Sequence, residues 1–313
     1  MPPLLRRFAV AVEPPFSLYY TVRVSQRLAA NRVDRWEQGE YRRLIPVGDR
    51  TELISVSQTG AAVEAAGRLS NVEVTAAQAL LSRMLGASVN LAPFYELIRG
   101  NVPLSALARA LEGLKPPRYP TLFEALAHAI CCQQVSPTVG MMLIGRLAAA
   151  AGSSRAIGGE HYTAFPTAEQ VLRLKPEQVR AAGFSAAKAG SLALLAEGFA
   201  TGRYREEEIE ALPTAAALDR LLRLPGIGAW SATCVLLRGL GRLDVFPAGD
   251  GGAARALGEL LGRPMTAAET EAFARHWKEY AGLMYFHLLG HRYLPEQAER
   301  LPISRVPVPI RLT

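Results

Sequence analysis

The 313-residue chain predicts a mainly α-helical protein with an N-terminal α+β domain that carries a small antiparallel sheet. Three observations predict it. The first eighty-odd residues hold β-branched and aromatic runs cut by turn residues. From Gly86 onward, apolar residues recur at helical spacing, with glycines where helices should stop. Hydrophobic residues make up 50% of the chain, enough to bury the core of one large domain or two ordinary ones.

Residues 8–12 and 18–24 read as strands on either side of Glu13-Pro14-Pro15, and 24–36 reads as a helix. Residues 41–45 and 52–56 flank Pro46-Val47-Gly48-Asp49 and predict a hairpin. A helix over 72–85, starting from Thr75, closes this domain, so the expected boundaries are 1–85 and 86–313. Helices are then expected over 92–97, 104–111, 122–134, 139–150, 176–182, 186–200, 215–222, 229–240, 252–261, 267–280 and 284–291. Thr121 follows the break at Pro116-Pro117 and Tyr119-Pro120 and suits an N-cap. Gly183, Gly202, Gly241 and Gly262 suit C-caps. Residues 301–313 carry three prolines and read as an extended surface tail.

The balance of 35 Lys+Arg against 28 Asp+Glu gives a net charge of +7, mostly from arginine, whose planar fork matches phosphate oxygens. A polyanionic partner fits that balance; an ordinary basic enzyme fits it too. Cys131, Cys132 and Cys234 have neither paired nor clustered spacing, so no disulfide framework, zinc site or four-thiolate cluster is expected. Reduced thiols and an N-terminus too poor in apolar residues for a signal peptide point to the cytoplasm. The uncharged run 125–145 contains His128, Gln133, Gln134, Ser136, Pro137 and Thr138, and reads as a buried helix pair, not a membrane span.

Two segments carry the chemistry. Leu224-Pro225-Gly226-Ile227-Gly228-Ala229-Trp230 reads as a glycine hairpin between two helices, spanning 222–230. Its glycines permit positive φ and close backbone approach, and the helix start after it offers unpaired N–H groups to an anion. The second segment, 244–251, presents Asp250 at the mouth of a further helix. Asp250 is open to two readings, an N-cap and a functional acid, and one does not exclude the other. Trp230 reads either as core or as a binding wall, and Gln134 either as a helix-end polar residue or as a contact. His287, on an apolar face, reads as a core histidine, and His128 is not expected to be a catalyst.

These strings, with 113–120 running into 123–130 and Gln133-Gln134-Val135-Ser136, resemble the helix-hairpin-helix (HhH-GPD) DNA glycosylase superfamily. Within it the chain is most similar to the 3-methyladenine DNA glycosylase II branch. The resemblance implies two helical lobes around a cleft and excision of alkylated purines from damaged double-stranded DNA during base excision repair. It places Asp250 at the catalytic aspartate, Trp230, Cys234, Leu289 and Phe123 at the base pocket, and Gly226, Ile227, Gly228, Gln133 and Gln134 at the DNA. It places Gln134 as the wedge that fills the gap left by a flipped nucleotide. The backbone carbonyls of Leu222, Leu224 and Ile227 would hold a monovalent cation; no other cofactor is implied, and a monomer is expected.

Members that also nick the backbone carry a lysine where this chain has Trp230, and no lysine lies between Lys188 and Lys278. The resemblance therefore implies water-dependent hydrolysis without lyase activity. Cys234 and Leu289 stand where the best-known alkylpurine enzymes can place aromatic residues, so a less aromatic pocket is expected. Two rival readings remain: a glycosylase for oxidised or deaminated bases, and a non-catalytic binder of damaged DNA.

Overall fold

Short turns set the N-terminal sheet. In the computed structural model, which describes residues 4–26 and 28–294, β1 (Leu4–Ala9) is followed by a helix, α1 (Leu18–Gln26), and then by β2 (Arg35–Glu37), β3 (Glu40–Val47), β4 (Arg50–Thr59) and β5 (Ala62–Leu69). The five strands are antiparallel in the order β1-β5-β4-β3-β2. The β2–β3 turn has both central residues at positive φ, Gln38 at 53° and Gly39 at 80°, the geometry whose twist matches paired strands. The expected β3–β4 hairpin forms with Val47 opposite Arg50. Alternation buries Ile54 and Val56 against α2 (Asn71–Met84), which a Ser70–Glu73 capping box starts.

Two expectations near the N-terminus are corrected. Residues 18–24 are helical, not extended. Leu18, Thr21 and Val22 are buried at helical spacing, and Ser17 Oγ accepts from the Tyr20 N–H at 3.3 Å, so burial of one face overrides the β-branched composition. Residues 24–36 are not one helix. Asn31 Oδ1 accepts from the Val33 and Asp34 N–H groups, both at 3.0 Å, and this local turn sends the chain into β2.

The rest is helical: α3 (Ala92–Ile98), α4 (Val102–Ala110), α5 (Leu122–Cys132) and α6 (Pro137–Ala151) come first. An unexpected hairpin follows, β6 (Ser154–Ile157) and β7 (Glu160–Thr163), turning at Gly158-Gly159 with both φ positive. Then come α7 (Ala168–Leu172), α8 (Pro176–Ala181), α9 (Ala186–Ala200), α10 (Glu206–Glu210), α11 (Thr214–Leu222), α12 (Ala229–Arg238), α13 (Gly251–Leu261), α14 (Ala267–His276) and α15 (Ala281–Tyr293). Thr121 caps α5, accepting from the Glu124 N–H, and Gly262 ends α13 at φ 69°. The tail expected over 301–313 lies outside the described residues.

Two helical cores result. One joins α5, α6, α9, α11 and α12; the other joins α3, α4, α13, α14 and α15. Helix α12 serves both, since Val235 and Leu236 enter the first core and Leu237 the second. The sheet is tied to the first lobe by a buried cluster in which Arg43 donates to Asp34 at 2.6 Å and to both oxygens of Glu124 at 2.5 and 2.7 Å. Arg155 of β6 adds bonds to the Thr51 carbonyl and Glu52. Helix α1 packs on α15, so this segment of the sheet domain touches both lobes. Among the described residues no helix is long and apolar enough to cross a membrane.

Candidate active site

The hairpin between α11 and α12 is held from inside. Leu224 and Ile227 are buried, and the Ile227 N–H donates to the Leu224 carbonyl at 3.2 Å, which tightens the bend. Gly226 stands at φ 73°, and a Cβ there would lie 2.3 Å from Ser191 Oγ. Gly228 is different from what the sequence suggests. It is extended at φ −94°, and a Cβ would meet nothing within 4 Å. Its smallness therefore serves the open space outside, not the bend. No side chain caps α12 after it, so the first N–H groups of that helix remain open to an anion.

These two glycines should separate by experiment. Gly226→Ala adds strain at positive φ and a collision, so a stability loss of ~1–3 kcal/mol is expected in thermal melts. Gly228→Val should melt with the wild type yet bind duplex DNA more weakly in anisotropy titrations at fixed salt. Equal DNA affinity for Gly228→Val would remove the hairpin from the binding surface.

The end of α5 is laced to this bend. Gln133 Nε2 donates to the Gly226 carbonyl at 2.7 Å and to Ser231 Oγ at 2.8 Å. Lys188 Nζ donates to the Cys131 and Gln133 carbonyls, both at 2.9 Å. The Gln133 amide nitrogen is thus engaged within the protein, while the residue lines the cleft. Gln134, the next residue, is exposed and held at φ 55°, a left-handed conformation that presents its side chain outward from the cleft rim.

Between the lobes lies a cleft of about 1070 Å³, and Trp230, Cys234, Asp250, Arg255, Tyr285 and Leu289 are among its lining residues. Asp250 is both a cap and a cleft residue. Its Oδ1 accepts from the Gly252 and Ala253 N–H groups, both at 2.9 Å, at the start of α13. Its Oδ2 accepts from Trp230 Nε1 and Tyr285 Oη, both at 3.2 Å. Burial, followed by the Asp250 charge, pushes the Cys234 thiol well above its usual range, so it stays protonated.

Phe123 does not line this cleft. It points into the first lobe, 5% exposed, edge-on to Phe199 at 5.7 Å and tilted against Phe165. One face of α5 meets the cleft and this residue lies on the other. His128 lies at the rear of the cleft, stacked on Tyr119 at 4.1 Å, where burial lowers its pKa and keeps it neutral. It is 3.6 Å from Glu124, too far for a hydrogen bond. His287 is a core residue. Its Nδ1 donates to the Leu283 carbonyl at 2.8 Å, and burial takes its pKa down to about 4.

Sequence reasoning missed Arg255 and could not place Tyr285. A signal for the latter existed: Tyr285, Leu289 and Tyr293 recur every fourth residue on α15, and all three face the cleft. Among the described residues no group of His, Cys, Asp or Glu is placed to hold a metal ion.

Fold and site together define a two-lobed helix-hairpin-helix protein with an acid-bearing cleft. The family model described as "HhH-GPD superfamily base excision DNA repair protein" matches residues 127–280, just under half of the chain. It is 29% identical over 201 residues to the DNA-3-methyladenine glycosylase of Bacillus subtilis, covering 64% of this chain and 66% of that one, just under two thirds of the relative's length. It is 26% identical over 282 residues to DNA-3-methyladenine glycosylase 2 of Escherichia coli, covering 88% and 94% of the two chains. The solved 3-methyladenine DNA glycosylase from Archaeoglobus fulgidus superposes with a TM-score of 0.78 at 24% identity, over 92% of this chain and 98% of that one, which shows a shared fold.

Proposed function

We propose that the protein is a monofunctional DNA glycosylase that hydrolyses the N-glycosidic bond of alkylated purines, 3-methyladenine among them, in duplex DNA. The observation that carries this reading is a lone carboxylate, Asp250, on the cleft wall beside an uncapped hairpin helix and an indole. The C1′–N bond breaks, the base leaves with the bonding electrons, and positive charge grows on the sugar. A preorganised carboxylate opposite that charge stabilises it, typically by ~3–4 kcal/mol. Water then bonds to C1′ and releases its proton to the solvent. The Trp230 indole face offers a cationic base a favourable wall.

The absence of lyase chemistry is supported by where the amines lie. Of the four lysines, Lys188 is the one lining the cleft, and its Nζ is bound to two carbonyls. Lys115 is buried, with its Nζ on the Val89 carbonyl. Among the described residues no free lysine amine stands beside the cleft, which supports water as the nucleophile.

The hairpin would grip a phosphate through the α12 N–H groups, and Gln134 would fill the gap left by the flipped nucleotide. The carbonyls of Leu222, Leu224 and Ile227 are neutral, hard oxygens, a donor set that suits a sodium or potassium ion, and would hold it beside that phosphate. We take the protein to act as a monomer on cytoplasmic DNA. Mass spectrometry of free bases released from methylated duplex DNA tests the activity, with 3-methyladenine and 7-methylguanine expected. Release from oxidised DNA alone would replace the substrate class, and binding without any release would make the protein a damage-recognition module.

A further inference from the structure

The geometry points to Tyr285 as a positioning residue: with Trp230 it holds Asp250 as a fixed counter-charge to a sugar cation and keeps it from acting as a proton acceptor. This deepens the glycosylase reading and rests on it. An ionised carboxylate has about four lone-pair sites. At Asp250 all four are used by the protein, two by backbone N–H groups of α13 and two by the indole and phenol side chains. A water molecule finds no site on the carboxylate while these bonds hold, and C1′ finds no free lone pair to bond. The charge remains, and charge is what an electron-poor sugar needs.

The two bonds to Oδ2 are the longer pair, at 3.2 Å against 2.9 Å, so the side chains decide whether this oxygen ever becomes free. Trp230 is expected to contact the base, and Tyr285 supplies the second side-chain bond to the same oxygen. The Tyr285 ring is fixed independently of its hydroxyl. It is 5% exposed, edge-on to Phe246 at 5.5 Å and to Phe286 at 5.7 Å. Tyr285→Phe therefore removes the bond and keeps the packing. The position also answers the loss of aromatic bulk at Cys234 and Leu289, because α15 brings a different ring to the acid from one turn earlier.

The test compares affinity for two duplexes, one with a pyrrolidine abasic mimic whose ring nitrogen is cationic and one with a neutral tetrahydrofuran mimic. The wild type should prefer the cationic duplex, and Asp250→Asn should abolish the preference. Tyr285→Phe should lower the preference about tenfold, the smaller end for one hydrogen bond to a charged group, with unchanged affinity for the neutral duplex. Single-turnover release of 7-methylguanine should fall by a similar factor. An unchanged preference in Tyr285→Phe, or none in the wild type, overturns the positioning role. If the preference falls as expected but the wild type releases no methylated base, the positioning role stands and the glycosylase reading falls. Thermal melts of Tyr285→Phe within a few degrees of wild type exclude a folding artefact; if it melts lower, Trp230→Phe supplies the same comparison on the same oxygen, and an unchanged preference there overturns the role equally.

Discussion

Asp250→Asn should lower base release from methylated DNA by 10²–10³-fold, the loss usual for one preorganised electrostatic group, while leaving DNA affinity and the fold nearly intact. Asparagine is as good an N-cap as aspartate, so its Oδ1 can keep the bonds from Gly252 and Ala253. What changes is the other end of the side chain. An amide nitrogen would face Trp230 Nε1, donor against donor, while the Tyr285 hydroxyl can rotate to accept. We therefore expect a melting temperature a few degrees lower at most. The decisive measurement is single-turnover release beside the dissociation constant for abasic duplex. A variant that kept its rate would remove Asp250 from the chemistry, and one that lost affinity in proportion would make it a binding residue.

Arg43→Met should be the most destabilising single change at the junction of sheet and helices. Arg43, Asp34 and Glu124 have side chains only 4%, 9% and 4% exposed. Removing the guanidinium leaves two buried carboxylates without the cation that pairs them, a change worth ~3–5 kcal/mol. A drop in melting temperature on the order of 10 °C follows for a chain of this size. The pH dependence has a definite sign. Burial alone would raise the Asp34 carboxyl, but the Arg43 charge and bonds from Tyr41 and Asn31 outweigh it and hold its pKa down to about 2. In the wild type this contribution is present above pH 4 and is lost as pH falls toward 2. In Arg43→Met the Asp34 carboxyl is buried without its cationic partner, so protonation relieves it and the deficit should narrow between pH 7 and pH 4. An equal deficit at both pH values would contradict the charge argument.

Most of the helical body was legible because its amphipathic periods are long and ends such as Thr121 and Gly262 are marked. The misreadings cluster where a short segment is decided by tertiary contacts. Leu18-Tyr19-Tyr20-Thr21-Val22 is β-branched and aromatic, yet its burial has a helical period. Strand β5 was missed because Ala65 and Gly67 take its two central inward positions and weaken the alternation that Val63 and Leu69 begin and end. At the site, the hairpin and Asp250 could be located from spacing, since each sits at a helix start that the sequence marks. The side chains that converge on them come from α5, α9 and α15, far apart in the chain. Nothing local in the sequence reveals that Gln133 reaches Gly226 or that Tyr285 reaches Asp250.

The contact between α1 and the rear of the cleft has an architectural consequence. Arg238 donates to Ser25 of α1 while its guanidinium lies 4.8 Å over the Tyr119 ring, and Arg238 and Tyr119 also line the cleft. Part of the enclosure behind Asp250 is therefore furnished by a segment from before the sheet's second strand. A grafted or shortened amino-terminal module would reshape that enclosure even though every residue of the hairpin and the acid stayed the same.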